Sequence, residues 1–123
     1  MNQELIEEKK QKSALLLDDN LMSAVRVEGQ LERAGFLVHT KGVLPSSGET
    51  PDLILINLGS RSLNGVAKIE TCRAQFPDSK ILGFCGHTEI EIRKAAKAAR
   101  IGRIFTNEEA MLELAQLLKN GCE

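Results

Sequence analysis

Five side chains in this 123-residue sequence could do chemistry, and each stands at or just past the end of a short apolar run. Asp18 and Asp19 end "ALLLDD", Asn57 ends "DLILIN", Cys85 ends "KILGFC", and Asn107 lies two residues beyond "GRIF". An acid pair beside a third carboxylate would hold a hard divalent cation, or set up a nucleophile for phosphoryl transfer. Here the third position is an amide. A carboxamide is neither anionic nor nucleophilic at nitrogen, so it does not accept a phosphoryl group. Mg²⁺ also loses one of the charged oxygens it prefers, which leaves Asp18 and Asp19 as a weak metal site at most. No nucleophile is paired with a base, and His39 and His87 are isolated. The sequence therefore reads as non-enzymatic, with no cofactor beyond that weak Mg²⁺.

Only the elements preceding these residues can bring them together. "SALLLD" and "DLILIN" are continuous apolar runs, as strands buried on both faces should be. Asn20 is a good N-cap for a helix carrying Ala24, Val27, Leu31 and Ala34 on one stripe, with Gly35 as its stop. "FLVHT" reads as a second strand, and residues 41–51 are mostly turn chemistry. A helix over 63–75 follows the third strand, with Val66, Ile69, Cys72 or Arg73, and Phe76 inward, and Pro77 ends it. "KILGFC" is the fourth strand, then a helix over 89–99 packs through Ile92, Ala95 or Ala96, and Ala99. "GRIF" is the fifth strand. "NEEAMLELAQLLKNG" predicts one final helix, with Met111, Leu114, Ala115 and Leu118 inward and Leu112 and Leu117 broadening that face toward a partner.

The order β-α-β-β-α-β-α-β-α implies a parallel sheet covered on both faces, with right-handed crossovers. One expected crossover helix, the second, is short or replaced by the 41–51 loop. In such sheets functional groups gather past the carboxyl ends of the strands, so the five side chains are expected on one rim. Residues 1–12 are a polar extension, and 13–121 form one domain.

A net charge of −1 supplies no field for nucleic acid or an anionic membrane, and the chain has no Trp or Tyr for stacking on bases. No apolar stretch approaches the roughly 20 residues of a membrane span, and no secretory signal opens the chain. Three cysteines, Cys72, Cys85 and Cys122, lack metal or disulfide spacing, which fits a reducing, cytoplasmic setting. Cys72 and Cys85 read as buried and Cys122 as an exposed tail thiol. The helix over 89–99 and its exit carry a basic stripe, Arg93, Lys97 and Arg100.

These residues resemble the receiver domain of bacterial two-component response regulators, over roughly residues 13–120. The resemblance rests on Asp18 and Asp19 after the first strand, "LILINLGSRSLNG" with Gly65 downstream of the acceptor position, "ILGFCGHTE", and "RIFTNEE". It implies a flavodoxin-like sheet of order 2-1-3-4-5 and a cytoplasmic signalling protein that binds protein partners. The departures fall on the chemistry: Asn57 at the phospho-acceptor, Cys85 at the hydroxyl, Asn107 at the lysine, and Ile104 at the aromatic switch position. The family pocket holds three carboxylates and one ammonium. Here Asp18 and Asp19 without a cation keep the same formal charge, and an Asn57–Asn107 hydrogen bond is expected to replace the ion pair. The expectation is a stand-alone pseudo-receiver that docks partners in a signalling pathway without phosphorylation. Its partner surface would be Arg93, Lys97, Arg100, Leu112 and Leu117, which would also serve for a homodimer. The alternatives are a phosphorelay receiver using Asp18 or Asp19 as acceptor, a Cys85 thiol sensor, and a small-ligand binder at the strand ends.

Overall fold

The computed structural model describes residues 11–46 and 48–121. Five strands make one parallel sheet: β1 (Ser13–Leu17), β2 (Leu37–Lys41), β3 (Leu53–Asn57), β4 (Lys80–Cys85) and β5 (Ile104–Thr106). Their order is β2-β1-β3-β4-β5, the flavodoxin-like topology expected from the sequence. The helices are α1 (Leu21–Arg33), α2 (Gly65–Gln75), α3 (Ile90–Ala98), α4 (Asn107–Leu112) and α5 (Leu114–Lys119). Residues 1–10 of the polar extension and Cys122 lie outside the described residues.

Alternate residues of each strand feed two separate cores, because successive side chains point to opposite faces of a pleated sheet. Ala14, Leu16, Leu53, Leu55, Leu82, Phe84 and Phe105 pack under α1, α4 and α5. Leu15, Leu17, Ile54, Ile56, Ile81 and Cys85 pack under α2 and α3 with Ile69, Cys72 and Ala96. Both faces are buried, so the central strands read as unbroken apolar runs.

The β2–β3 connection contains no helix among its described residues, and its chain is pinned instead by hydrogen bonds. Gln75 Nε2 donates to the Pro45 carbonyl (2.6 Å), Ser79 Oγ donates to the Pro51 carbonyl (2.5 Å), and Asp52 Oδ2 accepts from the Ser13 N–H (2.8 Å). Two helices thus cover the second face where a regular doubly wound fold has more. The uncovered edge is a groove of about 810 Å³ whose walls include Leu15, Leu37, His39, Pro45 and Phe76.

Three local expectations are corrected. The final helix is two helices, because Glu113 takes φ −126°, outside helical values. Leu117 is half-buried against the α1-side core, not free for a partner, while Leu112 is 59% exposed. Arg100 has left the α3 stripe: the helix ends at Ala98 and Arg100 adopts φ +62°, a left-handed conformation costly for a residue with a Cβ. Arg73 stabilises that exit by donating from Nη2 to the Ala99 and Arg100 carbonyls (2.7 and 3.2 Å).

Candidate functional site

The register of β1 against β3 builds the centre of the site. Leu17 pairs with Ile56, so the next residues, Asp18 and Asn57, stand side by side as the strands end. Both continue the parity that faces α1, since Leu16 and Leu55 lie in that core. The Asn57 amide accordingly reaches Asp18, with Nδ2 donating to Oδ1 at 2.9 Å. Asp18 Oδ1 also accepts from the Asn20 N–H (3.0 Å), and its Oδ2 accepts from Ser23 Oγ (2.6 Å). Asp18 is only 3% exposed, a buried carboxylate satisfied by three donors. Its neighbour Asp19 is exposed, and Oδ1 accepts from Ser60 Oγ on the β3–α2 loop (2.6 Å).

Asn57 also bonds within its own loop, because its Oδ1 accepts from the Gly59 N–H at 3.1 Å. Both ends of the amide are therefore used within its own loop and toward Asp18. This corrects the expected Asn57–Asn107 bond: Asn107 is exposed and opens α4, where Thr106 is the N-cap. Thr106 Oγ1 accepts from the Glu109 N–H (3.0 Å) and Glu109 Oε1 accepts from the Thr106 N–H (2.9 Å), a capping box that fixes the end of β5. Gly65 sits so close to β3 that a Cβ there would lie 2.6 Å from the Asn57 carbonyl, so only glycine lets α2 start at this point.

Around this centre lies an open groove of about 670 Å³, whose lining includes Asp19, Asn57, Glu89, Asn107, Arg26 and Arg61. The expectation of a pocket without a cation is thereby corrected: two arginines share its lining with Asp19 and Glu89. Glu89 Oε1 accepts from the Gly86 N–H at 2.7 Å. Arg26, Arg61 and Glu89 were not legible as site residues because helix α1 and two separate loops deliver them.

Cys85 does not join this rim. It is 0% exposed and belongs to the core on the opposite face of the sheet from Asp18 and Asn57. Desolvation by burial pushes its thiol pKa up, with the Arg93 charge pulling down and Glu89 adding to the rise. Cys72 is likewise buried, and desolvation pushes it up to about 11 against a lowering by Lys68. Neither thiol has the exposed thiolate that oxidant sensing needs. Ile104 is half-buried against the same core, and its carbonyl accepts from Arg93 Nη1 at 3.3 Å.

A divalent ion would need open carboxylate lone pairs directed at one point. Both Asp18 oxygens already face N–H and O–H donors, and one Asp19 oxygen holds Ser60. The acid pair as arranged does not fit a metal with Asp18 as ligand. Nor is Asp18 accessible as a phosphoryl acceptor; of the two acids only Asp19 meets solvent.

Beside the groove, α1 presents Leu21, Met22 and Val25 at 80%, 77% and 64% exposure, with Met22 also on the groove wall. These are large apolar side chains off the inward stripe of Ala24, Val27 and Leu31. The sequence held that signal, since apolar residues left over once a helix's core stripe is assigned mark a second apolar face. On α3, Lys97 is exposed, whereas Arg93 is half-buried.

The molecule is thus a five-stranded doubly wound α/β protein whose strand-end groove is lined by Asp19 and by Asn57, the amide bonded to the buried Asp18. Solved structures similar to it include response-regulator receivers. A response regulator from Thermotoga maritima aligns with TM-score 0.69 at 16% identity, over 90% of this chain and 97% of that one. The receiver domain of NtrX from Brucella abortus gives 0.70 at 19% identity, over 87% and 98%. A response regulator protein from Burkholderia pseudomallei, with a phosphorylated aspartic acid, calcium ion and citrate, gives 0.67 at 20% identity, over 89% and 72%. No protein-family model and no curated protein sequence matches the chain. The likeness establishes the receiver fold.

Proposed function

We propose that this chain is a pseudo-receiver: a receiver-fold module of two-component signalling that docks protein partners without being phosphorylated. The observation that carries the reading is the Asn57 amide donating to Asp18 at 2.9 Å. Where a phosphorylatable receiver presents a nucleophilic carboxylate, this chain has an amide whose donor and acceptor are both engaged. Cys85 turned into the core and Asn107 in place of a cation support it further. Incubation with Mg²⁺ and acetyl phosphate is expected to leave the intact mass unchanged; an acid-stable, base-labile gain of one phosphoryl group would overturn the reading.

The docking face we assign is the exposed apolar patch Leu21, Met22 and Val25, next to the groove. It fits an amphipathic helix of a signalling partner, because an apolar stripe on one helix is most simply covered by another. The basic end of α3, with Lys97 and Arg100, is the alternative face and the one through which a homodimer would form. Nucleic acid is not a partner in this reading, the net charge being −1. Among the described residues no helix is long and apolar enough to cross a membrane, and the reading places the protein in the cytoplasm.

Capture from an extract of the source cell, run with wild type, Val25→Glu and Lys97→Glu, separates the faces. Partners retained by Lys97→Glu and lost from Val25→Glu are expected. Loss confined to Lys97→Glu would move the docking face to α3. Both positions are exposed, so each substitution should change stability by less than about 0.5 kcal/mol.

A further inference from the structure

We propose that Glu89 is the groove's resident anion: its carboxylate occupies the Gly86 N–H at the strand ends, in a groove that two arginines also line, and so keeps external anions such as phosphate out. The inference rests on the reading of this groove as a rim that is not phosphorylated, and it names what fills the anion position instead.

Glu89 directly precedes α3 and is half-buried. Its Oε1 accepts from the Gly86 N–H at 2.7 Å, a charge-assisted length. Two glycines make the room it occupies. A Cβ on Gly59 would stand 2.7 Å from Glu89 Oε1, and one on Gly86 would stand 3.1 Å from the same atom. Neither glycine has the positive φ that would otherwise call for it, so at Gly59 and Gly86 the carboxylate itself is what the missing side chains accommodate. The carboxylate thereby links the β3–α2 loop, through contact with Gly59, to the β4–α3 loop, through the Gly86 bond. Arg26 and Arg61 line the same groove. A loop N–H beside a groove that two arginines line can receive an anion, and here an internal anion already holds the N–H. The other polar groups do not compete for it: Asn57 is taken by Asp18 and Gly59, and Asp19 by Ser60.

The test is a titration with inorganic phosphate in metal-free buffer, followed through the amide NMR signals of Gly59 and Gly86. Wild type, Glu89→Ala, Glu89→Gln and Gly59→Ala are compared, with spectral dispersion confirming that each is folded. Wild type is expected to show no saturable shift. Glu89→Ala and Gly59→Ala, the latter pushing the carboxylate aside with its methyl group, are expected to bind phosphate at least about tenfold more tightly than wild type. Glu89→Gln keeps an acceptor for Gly86 and loses the charge, so its affinity should fall between. Equal phosphate binding by wild type and Glu89→Ala overturns the proposal, as does an absence of binding in all of the folded variants. Inorganic phosphate transfers no phosphoryl group. A failure here is therefore distinct from a failure of the pseudo-receiver reading, which acetyl phosphate tests.

Discussion

Asp18→Ala should cost the fold about 4 kcal/mol, a large share of the roughly 5–15 kcal/mol that holds a domain together. Asp18 is 3% exposed and accepts from the Asn20 N–H, Asn57 Nδ2 and Ser23 Oγ. Deleting the carboxylate takes the acceptor from the Asn20 N–H and Asn57 Nδ2, while Ser23 Oγ keeps the Asn20 carbonyl at 3.2 Å, and each orphan costs about 1–3 kcal/mol. Asp18→Asn should be far milder, about 1.5 kcal/mol. Its oxygen can serve the two N–H donors, and its amide can face Ser23, whose hydroxyl rotates to accept. Urea denaturation read at constant m-value gives both numbers, and the alanine variant should melt on the order of 15 °C lower. A loss below about 1 kcal/mol for Asp18→Ala would mean that the network does not carry the strand-end geometry. The ordering matters for function. A carboxylate spent on holding α1 and β3 together is not available to bind metal or accept a phosphoryl group.

That internal role was only half visible in the sequence. The two apolar runs ending in Asp18 and Asn57 announced a shared rim, because parallel strands of equal length end together. The pairing of Leu17 with Ile56 realises this directly. The strands themselves were legible because runs buried on both faces are unambiguous, their order was implied by the resemblance to receivers, and a Gly- and Pro-rich stretch between β2 and β3 does not support a helix. Which face of the sheet each run-end chooses was not legible. Cys85 also closes an apolar run, yet it carries the parity of Ile81 and turns into the α2–α3 core, while Asn57 turns toward α1. That phase depends on how each strand registers with its neighbour, a nonlocal fact. Arg26, Arg61 and Glu89 escaped notice on similar grounds, since a helix face and two loops meet only in the folded chain. Leu117 was misread because the helical period was carried through Glu113, where the backbone leaves helical φ.

Asn57→Asp is the prediction that most directly weighs the amide. The introduced carboxylate would stand where Nδ2 now lies, 2.9 Å from Asp18 Oδ1, replacing a donor–acceptor pair with two like charges. At an effective dielectric constant of about 20, unit charges about 4 Å apart interact by about 4 kcal/mol. The variant should therefore lose about 3 kcal/mol at neutral pH, with proton uptake capping the penalty. The sign with pH follows from linkage: repulsion raises the pair's folded affinity for a proton above its unfolded value. The penalty is then present above the ordinary carboxylate range and fades as the pH falls through and below it. A divalent cation should oppose the penalty by another route, drawing Asp18, Asp19 and the new acid onto one ion. At 100 times its dissociation constant it would return about 2.7 kcal/mol. Thermal melts with and without Mg²⁺ or Ca²⁺ should thus show a large metal-dependent rise for Asn57→Asp and little for wild type. A variant as stable as wild type in metal-free buffer would remove the argument, and so would a wild-type protein that gains equally from Mg²⁺. If the contrast holds, one amide nitrogen accounts for the difference between a metal-binding acid cluster and a self-satisfied hydrogen-bond network. Phosphoryl transfer would still lack a hydroxyl at Cys85 and a cation at Asn107, so recovered metal binding should come without efficient phosphorylation.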